Sequence, residues 1–488
     1  MFSLTIFAIF ISCFYILLAS LKFVLTVLII VIVILVLYKT KDFIFKKIEN
    51  MYLIFAVIFG ITILFIIPPL NVPDEPEHFT KSYSLTSSRY KNDNGCMNYP
   101  KEVYNFVQGY QFNVLNTEVK FNGKDSFSQL STKIDYNKKG KECYRYRNVK
   151  HSLSFSYLPA AIIMYPLINF GFSPLILSLC GRFINLLITI ILGYYSLKKI
   201  PKFKKSLFLI LLLPIYLQQS AAFNVDYFTN SISIYTISTI LYYVYKANNI
   251  YIKDIIKLGI LALLIAICKF GFFPVMFLVA LIPKNKFKIK KVNPIVIKII
   301  IIAIAVCISF ILNRGLGGAS VSDVNTDNYT VSYSVKHVFQ TIMIFINTIL
   351  NRGDLDIFRG FFNGFGVSTK WLASSFQTLL IVIYGILFLE SNEKDYKINL
   401  KQRLFYLLLA LIMFAIPYTA MYLCWTKIGE NSINGVQPRY FMISGLLFLF
   451  ALSNNVLNIK IKNKNKFYSI AILVIYSVII VSLILGFY

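Results

Sequence analysis

Apolar residues fall in long blocks along this chain, and most blocks approach the ~20 residues that a helix needs to cross a bilayer. The first block, 2–38, is broken only by Lys22 and predicts a hairpin of two helices, 2–20 and 22–38. Further spans are predicted at 51–69, 172–196, 206–222, 228–246, 255–268, 272–283, 295–312, 372–390, 402–424, 440–454 and 466–487. Two of these, 255–268 and 272–283, are short and suit a hairpin that crosses with tilt or bilayer thinning. Residues 154–170 are apolar but interrupted by Pro159 and Pro166, and 337–351 are also apolar. Both predict helices lying at the membrane interface. The blocks do not alternate in polarity, which excludes the strands of a barrel. The pattern is that of an all-α polytopic membrane protein with about 13 transmembrane helices.

Composition agrees, with 57% hydrophobic and 16% aromatic residues over 488 positions. The formal net charge of +28 does not imply nucleic acid, because Lys and Arg gather in the short segments 39–47, 198–205, 284–291 and 460–466. The positive-inside rule places those segments in the cytoplasm, with the amino terminus inside and the carboxyl terminus outside. Residues 1–38 are too long and too apolar for a cleaved signal peptide. Three units follow: an amino-terminal hairpin and loop over 1–48, a membrane core over 49–455, and a carboxyl-terminal helix over 456–488.

The core carries one long polar segment, 70–153, placed on the external side by the same count of spans. Its 13 Lys plus Arg nearly balance 9 Asp plus Glu, and Tyr99, Tyr104, Phe106, Tyr110 and Phe112 give it apolar mass. That composition predicts a folded cap. Of the seven cysteines, only Cys96 and Cys143 lie in this polar segment, which makes them the disulfide candidates.

The chemistry concentrates where the 51–69 span leaves the membrane. The chain has only 21 Asp plus Glu, yet Asp74, Glu75 and Glu77 fall within four positions, followed by His78. Pro73 and Pro76 stiffen the backbone around them. Acids at a membrane boundary are costly unless they bind a ligand or move protons. The same count of spans brings Arg182, Asn224, Asp226, Lys269 and Arg439 to that face, with Asn185 about one turn below Arg182. Carboxylates beside fixed cations suit an anionic, phosphate-bearing substrate. Asp74, Glu75, Asp226 and His78 offer oxygen and nitrogen donors for a divalent metal, although no ligand spacing demands one.

Four segments in order carry a resemblance: Pro-Asp-Glu-Pro-Glu-His-Phe (73–79), Ser-Ala-Ala-Phe-Asn-Val-Asp (220–226), Cys-Lys-Phe-Gly-Phe-Phe-Pro (268–274) and Gln-Pro-Arg-Tyr-Phe (437–441). In these the chain resembles the GT-C class of membrane glycosyltransferases. It looks like a bacterial branch of predicted membrane proteins known only as a domain of unknown function. The resemblance frames about residues 50–455 and leaves out the 2–38 hairpin. It implies a plasma-membrane enzyme whose first external loop supplies a catalytic acid, mapped onto Asp74 or Glu75. It implies a sugar on a polyprenyl phosphate as donor, and an envelope glycan or lipid as acceptor. His78, Arg182, Asn224, Asp226, Lys269 and Arg439 are then substrate-binding candidates, with Lys269, Arg439 and Arg182 facing the lipid phosphate. A flippase or polymerase of envelope polysaccharide, or a membrane subunit without activity, are the alternatives. A flippase needs charges deep in several helices, whereas these gather at one face.

Overall fold

The computed structural model describes residues 47–86, 98–115, 133–138, 155–289, 292–315, 328–351, 360–362, 374–390, 398–453 and 463–487. The expected 2–38 hairpin and both disulfide candidates, Cys96 and Cys143, lie outside them. The regular elements among the described residues are all helical, with two isolated bridges, Ile250 to Phe287 and Asn328 to Lys427.

Helix α1 (Ile48–Ile66) ends where Pro68 and Pro69 forbid another turn. Two short helices follow, α2 (Glu75–Ser84) and α3 (Lys101–Leu115). A 3₁₀ turn (Phe155–Tyr157) opens α4 (Leu158–Asn169). Helix α5 (Pro174–Lys199) starts on the Ser173 hydroxyl, which accepts from the Ile176 amide, and has Pro174 in its first turn. Next come α6 (Lys204–Leu211), α7 (Pro214–Ser220), α8 (Asp226–Tyr245) and α9 (Ile252–Cys268). A 3₁₀ helix (Phe273–Leu281) precedes α10 (Pro294–Gly315). Then follow α11 (Val331–Lys336), α12 (Val338–Asn351), α13 (Ser374–Glu390) and α14 (Leu400–Cys424). A 3₁₀ turn (Pro438–Phe441) leads into α15 (Met442–Leu452), and α16 (Lys464–Phe487) completes the bundle.

Among the described residues, four helices are long and apolar enough to cross a membrane: Ile48–Ile66, Pro174–Lys199, Pro294–Leu312 and Leu400–Cys424. Shorter apolar helices pack among them. The main core joins α1, α5 to α10 and α13 to α16. A second core holds the described parts of the 70–153 segment: Phe79, Tyr99, Phe106 and Tyr136 pack with Met164 of α4 and Phe223.

Two expected spans are built differently. The 206–222 span is broken at Leu212 and Leu213, because Pro214 cannot continue a helix from α6 into α7. The freed Leu212 carbonyl accepts from the Tyr384 hydroxyl at 2.5 Å and from the Tyr476 hydroxyl at 3.1 Å. Backbone polarity deep in an apolar bundle survives only when met this way. The 272–283 span is a nine-residue 3₁₀ helix, longer than such runs usually are. Its rise of about 2.0 Å per residue, against 1.5 Å for an α-helix, lets a short segment reach further through the bundle. At the opposite end from the acidic motif, lysines hold helix termini together. Lys286 donates to Tyr243 O at 3.0 Å and Val244 O at 2.8 Å, and Lys204 pairs with Glu49 at 3.2 Å.

The broken helix makes a stability prediction. Tyr384→Phe and Tyr476→Phe should each cost about 1 kcal/mol, and the double variant about 2–3 kcal/mol, because only the double leaves the carbonyl with no donor. Thermal unfolding of the purified full chain checks this; a strictly unchanged double variant would show that the carbonyl finds another donor.

Candidate functional site

The acidic motif, the head of α5, the turn before α8, the end of α9 and the turn before α15 meet at one end of the bundle. A pair with no access to solvent joins the first three of these. Arg182 and Glu75 are both 0% exposed, with Arg182 Nε to Glu75 Oε1 at 2.7 Å and Arg182 Nη2 to Oε2 at 2.5 Å. Nη1 donates to the carbonyls of Leu64 at 3.3 Å and Ile67 at 2.7 Å, and Nη2 to that of Pro68 at 2.9 Å. All five N–H groups of the guanidinium are thereby used. Glu75 also accepts from the amides of Val72 at 3.2 Å and Phe223 at 3.1 Å. Gly181 makes this possible, because a side chain there would run into the Phe223 ring.

This corrects two expectations. Glu75 has no free lone pair facing water, so it is not the base. Arg182 has no free N–H for a phosphate. Asn224 is structural as well: its Nδ2 donates to Gln219 O at 2.6 Å and its Oδ1 accepts from Tyr227 N at 2.8 Å, which starts α8. Asn185 likewise donates to Ala222 O at 2.9 Å.

The remaining expected residues come together nearer the surface. Asp74 immediately precedes Glu75 but has a φ of +65°, in the left-handed region that Asp tolerates better than most residues. That turn sends its side chain outward, where it is 53% exposed. Arg439 clamps the turn: Nη2 lies 2.5 Å from Asp74 Oδ2, and Nη1 donates to Pro73 O at 3.0 Å. Beneath, Arg439 Nε is 3.5 Å from Asp226 Oδ2, and Lys269 Nζ is 2.7 Å from Asp226 Oδ1. Asp226 is the first residue of α8 and spends its carboxylate on these cations, not on capping the helix. Lys269 is 32% exposed, so Asp74 and Lys269 form the open lip of a cluster whose floor is Arg439 and Asp226. The Tyr440 ring lies under both cations, 4.8 Å from Lys269 Nζ and 5.5 Å from Arg439 Cζ.

His78 is one turn further along α2 and is half-buried. Its Nδ1 is 2.6 Å from the Tyr157 hydroxyl, and Lys81 Nζ sits 5.0 Å from the Tyr157 ring. Burial first, then the charge of Arg439, pull the imidazole down to about 3, against an opposing effect of Asp74. The imidazole is therefore neutral at neutral pH. Lys81 is pushed down to about 8, by burial, with Glu77 opposing. Tyr157, Lys81 and Tyr440 were not among the expected residues. Lys81 lies three positions after His78 and Tyr440 beside Arg439, which are the only cues the sequence holds; Tyr157 has none.

A divalent-metal site does not fit this arrangement. Glu75 is spent, and Arg439 contacts both Asp74 and Asp226. Among the described residues no three His, Cys, Asp or Glu side chains gather as a ligand set.

A family model described as "Predicted membrane protein (DUF2142)" matches residues 55–443, a stretch that contains all four motif segments. The chain belongs to this family of predicted membrane proteins. No curated protein and no solved structure matches it.

Two outcomes follow from the geometry. Arg182→Met should cost about 3–5 kcal/mol by stranding a buried carboxylate, whereas Arg182→Met with Glu75→Leu should recover most of that loss. Thermal unfolding of the three proteins measures it, and a fully additive double variant would refute the closed pair. The His78 effect on stability has a definite sign. Its folded value lies below its ordinary 6.5, so its stabilising effect is complete above pH 6.5 and is lost as pH falls toward 3. His78→Asn should flatten the pH dependence of unfolding in that window, and an unchanged slope would contradict the assignment.

Proposed function

We propose that this protein is a GT-C-type glycosyltransferase that moves a sugar from a polyprenyl-phosphate donor to an envelope glycan or lipid acceptor, with Asp74 as general base. The observation that carries the reading is the exposed Asp74 carboxylate held at the lip of a cluster whose other members are Lys269, Arg439 and Asp226. In this reading the acceptor hydroxyl attacks the anomeric carbon, the bond from that carbon to the phosphate oxygen breaks, and the phosphate leaves with the electron pair. Asp74 takes the hydroxyl proton. Lys269 and Arg439 meet the charge that develops on the phosphate, and Asp226 holds both cations in place. His78, neutral beside Tyr157, flanks the acceptor side.

Arg439 couples the two halves. Without donor it pairs with the Asp74 carboxylate. A donor phosphate competes for the same guanidinium, so donor binding frees the Asp74 carboxylate to meet the acceptor hydroxyl.

The topology that goes with this reading has thirteen spans, eleven of them after residue 47. The lysines at the far end of the bundle then mark the cytoplasmic side of a bacterial plasma membrane. The acidic cluster is external, and the 70–153 segment caps it. The flippase reading gains no support from the most deeply buried ion pair, because Arg182 and Glu75 already saturate each other.

Proteoliposomes of the full chain with a polyprenyl-phosphate sugar and an acceptor test the proposal. Asp74→Asn should lower the transfer rate by about 10²–10⁴ while the protein stays folded, the scale of one positioned base. Lys269→Ala should instead raise the donor KM more than it lowers kcat. Full activity in Asp74→Asn would remove the residue from its role.

A further inference from the structure

The opposite end of the bundle carries a cluster that the proposed chemistry does not use. Lys199, the last residue of α5, and Lys257, in the second turn of α9, converge on one side of α8. Lys257 Nζ donates to the Tyr235 hydroxyl at 3.0 Å and lies 5.3 Å from that ring. Lys199 Nζ lies 5.7 Å from the same ring, 5.5 Å from that of Tyr242 and 6.0 Å from that of Tyr243. Both ammonium groups thus lie within 6 Å of the Tyr235 ring. Two like charges this close raise each other's energy unless an anion stands between them.

Among the described residues Asp254 supplies one negative charge that both lysines feel. Its Oδ1 also accepts from the Tyr243 hydroxyl at 2.9 Å and its Oδ2 from the Tyr251 amide at 2.9 Å, closing the first turn of α9, so one carboxylate stands against two ammonium groups. Lys202 adds a further positive charge beside Tyr245, 4.2 Å from the ring.

The surface leading to the cluster is apolar. Leu187, Ile191 and Tyr195 on α5 are exposed, as are Ile256, Ile260 and Leu263 on α9. Helix α8 packs against both and is otherwise buried along its length, with Tyr235, Tyr242 and Tyr245 its partly exposed residues. The outward faces of α5 and α9 thus flank a line of tyrosines that ends at the two lysines. An apolar path finishing in paired cations and aromatic rings matches an amphiphile with an anionic head.

We propose that Lys199 and Lys257 bind the phosphate of one anionic phospholipid of the surrounding bilayer, whose acyl chains lie along α5 and α9. The site is independent of the glycosyl-transfer reading, since it shares no residue with the Asp74 cluster.

The full-length protein, purified in neutral detergent, is titrated with phosphatidylglycerol, with phosphatidylcholine and with inorganic phosphate. Native mass spectrometry counts bound lipid, and thermal unfolding reports stabilisation. Phosphatidylglycerol should be retained and should stabilise the protein, whereas phosphatidylcholine should not. The double variant Lys199→Gln, Lys257→Gln should bind phosphatidylglycerol about thirty-fold more weakly, on the scale of two lysine contacts with an anionic lipid. Lys199→Arg with Lys257→Arg should retain it, and Lys288→Gln, an exposed lysine at the same end, should change nothing. Equal retention of both lipids by the wild type would overturn the proposal, as would undiminished phosphatidylglycerol binding in the double glutamine variant. Complete displacement of the lipid by millimolar inorganic phosphate would assign the cluster to a free anion and overturn the lipid site. Should the glutamine variant not fold, the wild-type lipid comparison and the arginine variant decide the question.

Discussion

A guanidinium and a carboxylate with no access to water must satisfy each other completely, and Arg182 and Glu75 do so. The requirement shapes everything around them. Arg182 needs three backbone carbonyls, and the end of α1 with its Pro-Pro turn provides them. Glu75 needs two amides, and these come from Val72 and from Phe223 in the turn before α8. Four separate stretches of chain are thus held to one point. Adjacent acids are thereby assigned different tasks. Because Glu75 is drawn inward and Asp74 takes a left-handed backbone, the Asp74 carboxylate faces out. A residue closed off from solvent thus decides where its exposed neighbour stands.

The rest of the bundle obeys a related constraint, that polar backbone among apolar helices must find a partner. The break at Leu212 is tolerated because two tyrosine hydroxyls from α13 and α16 reach it. Lys298 serves the end of the 3₁₀ helix in the same way, donating to the carbonyls of Ala280 and Ile282. Irregular segments occur here as fully as regular ones, provided that each has a donor or acceptor delivered from another helix. Tyrosine and lysine suit this role, since each carries a polar tip on a long apolar stem.

Several features were legible in the sequence because they rest on local rules. Long apolar blocks gave helices whose ends mostly fall within a few residues of those expected, with prolines marking the starts of α5 and α10. Asp74, Asp226, Lys269 and Arg439 could be grouped because counting spans assigns each to an end of the bundle. What remained hidden depends on side-chain direction. Nothing in Pro-Asp-Glu-Pro tells which acid turns inward, since one φ angle decides it. Arg182 and Asn224 have the chemistry of ligands, and only their backbone partners reveal them as struts. The 3₁₀ segment 273–281 packs against α10, α8 and α14, and its apolar composition does not distinguish that winding from an α-helix. Pro214 did signal a break, but the apolar run around it masked the signal.

The spacing of partners along the chain has a consequence for biogenesis. Arg182 follows Glu75 by 107 residues, whereas Arg439 follows Asp74 by 365. At ribosomal speeds of about 5–20 residues per second, Glu75 waits roughly 5–20 s for its partner and Asp74 roughly 20–70 s. The latch can close while the carboxyl-terminal half is still being made. The exposed Asp74 carboxylate, by contrast, stays unclamped until the turn before α15 emerges. A chain cut short before that turn would hold its scaffold pair yet present an unrestrained acid. The clamp on Asp74 therefore marks a molecule whose synthesis has passed Arg439.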